Sequence, residues 1–254
     1  MFDFFNEMPG EKKEETPYES QASPSSNESL FVVSVGGSTF IEKKLDTALL
    51  SKIASTISSL EREGYKFVIV VGGGKICRDY VAAAKTLGAN NFELDELGVM
   101  VTRVNAQLFI HALDNAFQKV LTEVKDAKKV LDSGKIPVFG GLLPGFTTDA
   151  VAALIAESLN AVFINLTNVD GVYSANPKLS AKATFYKSLD FDRLLKIVLR
   201  AGAGEPGANV VLDINACNIL KRSKIPTIVL NADDLPNFEA AVRHQEFRGT
   251  LIRE

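Results

Sequence analysis

From residue 30 onwards the apolar positions keep two alternating rhythms. Short unbroken runs rich in β-branched residues occur at 30–35 (LFVVSV) and 67–71 (FVIVV). Such runs mark strands buried on both faces of a parallel sheet. IPVFG (136–140), AVFINL (161–166) and IPTIVL (225–230) read as further strands. Between the first two, Leu49, Ile53, Ile57 and Leu60 recur every three or four positions, which predicts a helix capped by Asp46 and closed by Gly64. A second helix is predicted from Lys75 to Leu87, ended by Gly88. Residues 92–117 read helical with an interruption at Gly98, and helices are predicted over 148–159 (TDAVAALIAESL) and 213–223 (DINACNILKRS). Strand and helix alternate throughout, so the pattern is that of a doubly wound α/β domain, with no internal repeat.

Residues 1–29 do not share this rhythm. They are rich in Glu, Ser and Pro, with seven acids against Lys12 and Lys13. Such a segment buries too little to offset its ordering entropy, so a disordered acidic tail is expected. Its Phe2, Phe4 and Phe5 leave two readings open, an inert tail or a short docking motif. The chain of 254 residues is long enough for one large domain or for two lobes sharing a sheet. Its net charge of −3 gives no bulk reason to expect nucleic acid or anionic lipid as a partner. No apolar run approaches the ~18 residues of a membrane span, and the acidic N-terminus does not resemble a secretory signal, so a cytoplasmic location is expected. Cys77 and Cys217 form no CxxC pair and read as reduced thiols.

Candidate chemistry lies in three glycine turns that follow strands: GGS at 36–38, GGGK at 72–75 and GGLLPGFTTD at 140–149. At the carboxyl ends of parallel strands such turns expose backbone N–H groups, and helix N-termini favour negative charge. Lys75 and Arg78 close behind the second turn add cations. The turn is not a Walker A loop, because Ile76 stands where a magnesium-binding hydroxyl would be, and no GxGxxG follows a strand. One phosphate needs one such turn. Three point to a site that handles nucleotides.

SVGGS, VVGGGKxxRDY, LDELGVMVTRVNA, PGFTTDAVAALIAE, TNVDGVYSANPK and RSKIPTIVLN, in this order from about residue 30 to residue 252, resemble the amino acid kinase superfamily. Within it they are most similar to archaeal-type uridylate kinases. The resemblance implies an αβα sandwich around an open, mainly parallel eight-stranded sheet. It also implies an N-terminal acceptor lobe and a C-terminal ATP lobe within residues 30–254. The implied reaction is ATP + UMP giving UDP + ADP, with Mg²⁺ carried on the nucleotide and no metal site built by the protein. A homo-oligomer, a hexamer built from dimers, is likewise implied.

Residue roles follow from the same resemblance. Gly36, Gly37, Ser38, Gly74, Arg78, Thr167, Asn168, Tyr173 and Asn176 match the ATP site. Gly72, Gly73, Arg78, Asp95, Leu143, Pro144, Gly145, Phe146, Thr147, Thr148 and Asp149 match the UMP site. Arg78 matches the arginine that grips the UMP phosphate, where a planar guanidinium can fork onto two oxygens. Gly37, Asp149, Lys178 and Asp213 match catalytic positions. Several residues keep a plainer alternative. Asp95 either accepts from ribose hydroxyls or caps its helix. Thr148 is either a substrate contact or a cap, Asp213 a catalytic organiser or a cap, and Tyr173 a base platform or core filling.

Three positions depart from the family pattern. Many members have lysine where this chain has Ser34, aspartate where it has Asn176, and DPLA where it has DINA at 213–216. Lys75, Lys178 and Mg²⁺ are the candidates to supply the missing charge. Two rivals stay open beside uridylate kinase. One is a kinase of this fold acting on isopentenyl phosphate or an acyl-amino acid. The other is a nucleotide-binding protein without turnover.

Overall fold

The computed structural model describes residues 29–41, 44–175, 177, 180, 182–202 and 211–254. Residues 1–28 of the expected tail, together with Asn176 and Lys178, lie outside the described residues. Strands β1 (Leu30–Val35), β2 (Lys66–Val71) and β4 (Val162–Thr167) are the apolar runs read from sequence. With β3 (Val138–Phe139), β5 (Ser188–Leu189), β6 (Thr227–Asn231) and β7 (Thr250–Ile252) they form one sheet of order β3-β2-β1-β4-β6-β7-β5. Every pairing is parallel except β6 with β7. The αβα sheet expected from the resemblance is present, with seven strands among the described residues where eight were expected. Single bridges at Ala116↔Ile136 and Leu121↔Phe139 lay a further segment along β3 without making it a strand.

The strand period of two sorts β1 onto two cores. Phe31, Val33 and Val35 belong to the core shared with α2 (Thr47–Arg62), α4 (Asn91–Ala112) and α9 (Leu235–Val242). Val32 belongs to the core built with α5 (Asp126–Asp132), α6 (Thr148–Leu159), α7 (Phe191–Gly202) and α8 (Ile214–Arg222). Ser34 points to that second side and is 1% exposed. Helix α1 (Gly37–Phe40) is one turn, and α3 (Gly74–Thr86) follows β2 directly.

Helix limits follow local chemistry. The Asp46 carboxylate caps α2 at Leu49 N (3.0 Å), and Gly64 ends the region with φ of 104°. Four expectations need correction. Helix α4 runs unbroken through Gly98, because one internal glycine costs only about 1 kcal/mol and a capping box of Asn90 with Glu93 starts the helix firmly. It stops at Ala112 rather than continuing to 117, because the chain there turns to run beside β3. Asp95 is therefore inside α4 and is not its cap. Likewise Thr147, not Thr148, caps α6: its hydroxyl accepts from Ala150 N at 3.1 Å.

Candidate active site

Register brings the first two glycine turns side by side. Val35 and Val71 are partners at the carboxyl ends of β1 and β2, so the chain leaves both strands at the same level. Gly72 N donates to Val35 O (3.0 Å), and Gly36 N donates to Leu166 O of β4 (3.0 Å). The turns then press together. A Cβ on Gly37 would lie 2.1 Å from Gly74 N and 2.6 Å from Gly72 C, which only hydrogen can allow. Gly74 itself has φ of +64°. Two backbone loops, each able to offer N–H groups to an anion, thus share one wall.

Helix α4 holds the second and third turns in place. Asn105, 5% exposed, donates from Nδ2 to Gly72 O (2.9 Å) and Gly73 O (3.1 Å). Thr102 Oγ1 accepts from Gly141 N (2.7 Å), while Arg103 donates to Gly141 O (3.0 Å) and Leu142 O (3.1 Å). Asp95 Oδ2 accepts from Gly145 N at 2.8 Å. The third glycine turn is therefore clamped along its length by one helix face. Asp95 spends one carboxylate oxygen, Oδ2, on this clamp. Sequence reasoning missed Thr102, Arg103 and Asn105; the available signal was a polar cluster, Thr102, Arg103 and Asn105, within the mostly apolar stretch from Leu97 to Ile110.

That clamp delivers Thr147, Thr148 and Asp149 to the start of α6, beneath the first turn. Asp149 is partly buried and accepts from Ser34 Oγ at 2.7 Å. Burial pushes its carboxyl up to about 6; the Ser34 hydrogen bond opposes this, and the nearby Asp213 charge adds to it. Thr147 donates to Asp213 Oδ2. Asp213 Oδ1 accepts from Asn215 N (2.8 Å) and Ala216 N (3.1 Å) at the start of α8. Asp213 is therefore both a cap and a site partner. The N-termini of α6 and α8 converge here, two positive dipole ends beside the turns. Buried Cys217 is pushed up to about 12 by burial and by the two aspartates, so it is an inert thiol.

Cations are arranged asymmetrically. Arg78 stands exposed on α3. Lys75 makes a surface pair with Asp79 (2.6 Å). Ser38, Thr167 and Asn168 line a cleft of about 420 Å³ together with Thr39, Lys44 and Asp233. Tyr173 does not line that cleft. It packs on Phe185, with ring centroids 5.2 Å apart, and its phenol is pushed up by burial and by Asp170. Asp170 is held by Asn231 Nδ2 (3.1 Å) and Arg248 (2.6 Å). Leu143, Gly145 and Phe146 are exposed on the third turn, with Pro144 between them half-buried.

Residues 29–231 match the model of the amino acid kinase family. The chain belongs to the amino acid kinase family. A uridylate kinase of Archaeoglobus fulgidus is 44% identical over 200 residues, covering 78% of this chain and 89% of that one. One of Methanocorpusculum labreanum is 40% identical over 223 residues, covering 87% and 94%. The crystal structure of the Archaeoglobus fulgidus uridylate kinase superposes with a TM-score of 0.78 over 87% of this chain and 99% of that one. The UMP kinase of Bacillus anthracis, at 24% identity, shares the fold with a TM-score of 0.74.

Among the described residues no group of three or more His, Cys, Asp and Glu is placed to hold a metal ion. Asp149 and Asp213 are already engaged by hydroxyl and backbone donors. A magnesium ion that keeps its waters and is carried by nucleotide phosphates would need no such group. No helix of the described residues is long and apolar enough to cross a membrane.

Proposed function

We propose that this member of the amino acid kinase family is a uridylate kinase. It moves the γ-phosphoryl group of ATP onto the phosphate of UMP, releasing ADP and UDP. The bond from the γ-phosphorus to the β–γ bridging oxygen breaks, and a bond to a UMP phosphate oxygen forms. The acceptor is already an oxyanion near neutral pH, so no general base is needed, and neither histidine is assigned a role. The observation that carries this reading is the contact between Gly37 and Gly72–Gly74. It lets two anions approach end to end across one backbone wall. Catalysis is then positioning and charge neutralisation.

In this reading Gly36, Gly37 and Ser38 cradle the transferring phosphoryl group, and Thr167 and Asn168 hold the rest of the donor. Arg78 and the amides of Gly73 and Gly74 grip the UMP phosphate. Asp95 Oδ1 takes a ribose hydroxyl, and the third turn from Leu143 to Thr148 encloses uridine. Asp149 and Asp213 orient the reacting groups at the junction. Residues 30–254 thus divide into an acceptor lobe and an ATP lobe over one sheet. Mg²⁺ bound with ATP supplies further neutralisation of the phosphate charge. A cytoplasmic homo-oligomer completes the proposal. Helix α3 buries only Gly74, and Ile76, Tyr80, Leu87, Phe92, Met100 and Val104 are exposed on α3, α4 and the turn between them. An apolar face of this kind supports association of like subunits.

ADP release with ATP and Mg²⁺, compared across UMP, CMP, dUMP, isopentenyl phosphate and N-acetylglutamate, tests the function. Turnover selective for UMP is expected. Preference for isopentenyl phosphate or N-acetylglutamate would overturn the acceptor assignment, and ATP binding without turnover would overturn the enzyme.

A further inference from the structure

Strand β1 reads LFVVSV, and five of its six residues are apolar. The exception is buried to 1% exposure on the face that otherwise presents Val32 beside Val68 and Val70 to α6. A hydroxyl in such a place must find a partner or lose its hydration without return. Ser34 finds a carboxylate 115 positions away, donating to Asp149 Oδ1 at 2.7 Å. Two residues further along β1 the chain enters the Gly36–Gly37 turn, so this bond ties the start of α6 to the root of the phosphate-binding loop.

We infer that Ser34 is a positioning residue for the transfer, whose hydroxyl holds the Asp149 carboxylate aimed and ionised at the junction of the two substrates. The inference deepens the uridylate kinase reading and rests on it for what the ionised carboxylate does. The surroundings of Asp149 leave this task to Ser34. From α8 it faces Asp213, a like charge, and Cys217, a thiol that stays protonated. From β1 it faces Ser34. Among the described residues no lysine or arginine acts on it. Burial and Asp213 both favour the neutral acid; the Ser34 hydroxyl is the opposing influence. A neutral donor stabilises the charged form without cancelling it. Asp149 therefore stays poised close to its own titration, where a cation would have locked it in the ionised form.

Infrared titration of the full chain tests the inference without turnover. The carbonyl band of protonated Asp149 is assigned by its loss in Asp149→Asn and followed against pH in wild type, Ser34→Ala and Ser34→Thr. The wild-type midpoint is expected near 6. Ser34→Ala should raise it by about one pH unit, and Ser34→Thr, which keeps the donor, should leave it near wild type. The acid limb of kcat with UMP should move with the midpoint. If Ser34→Ala does not fold, Ser34→Cys, which keeps the volume and weakens the donor, is used in its place. An unmoved midpoint in a folded Ser34→Ala or Ser34→Cys protein overturns the inference, even if UMP turnover is normal. A wild type that does not phosphorylate UMP overturns the functional reading, while the titration still decides the role of Ser34.

Discussion

Asp149 sits where folding and catalysis make opposite demands. Its carboxyl titrates near 6 in the folded chain against an ordinary value of 3.8. Between those values the folded state binds the proton more tightly than the unfolded state, so stability falls as pH rises through the window. Above it the ionised group costs the fold on the order of 3 kcal/mol. Asp149→Asn should therefore unfold at higher denaturant concentration than wild type at pH 7.5. The gain should vanish below about pH 4, where both states are protonated. The same variant should lose turnover, by roughly a hundredfold or more if it removes charge placed for the transition state. Denaturant titrations at the two pH values, with kcat, check both halves. Arg78 makes a cleaner binding test. Its replacement by alanine should raise KM for UMP by roughly 10- to 100-fold and change KM for ATP far less. Lysine should recover only part of the loss, since it cannot fork. If KM for ATP moved instead, Arg78 would belong to the donor.

Elements cooperate through backbone contacts that no single segment of sequence displays. The glycine turns were legible because each follows an apolar run, and Asp46 and Gly64 bounded α2 correctly from local chemistry. Helix α6 was legible to the residue, because its apolar face and its threonine start are both local. What stayed hidden was long-range. Nothing near Asn105 says that its amide will hold two carbonyls of a turn more than thirty residues away. Strands β5 and β7 are two and three residues long and exist only because neighbours pair with them. Asp95 was singled out from its motif, but its bond to Gly145 depends on a loop fifty positions on. Two tests belong to this scale. Gly37→Ala forces a methyl into the backbone of Gly72 and Gly74. Shifting the turns apart by about 1 Å should lower kcat/KM about a hundredfold, with the protein still folded by circular dichroism. Asn105→Ala strands two buried carbonyls and should destabilise the chain by about 1–3 kcal/mol. It should also weaken UMP binding, whereas a purely structural loss would leave KM unchanged.

At the scale of the whole molecule, one surface and one strand matter most. The apolar positions on α3 and α4 are more than a lone subunit needs to expose. Met100→Glu with Val104→Glu should therefore shift the protein to a smaller species by light scattering while leaving its circular dichroism unchanged. An unchanged mass would rule this face out as a subunit contact. The strand is β1. Its hydrogen-bonding partners are β2 on one side and β4 on the other, and β4 lies some 130 residues later. Contacts of such sequence separation are slow to form. During synthesis the chain up to α5 emerges with one edge of β1 unpaired, and Ser34 has no carboxylate to meet. The centre of the sheet closes only once residues 162–167 have left the ribosome. Until then the N-terminal half is a nascent intermediate with an open edge, the kind of surface that chaperones shield.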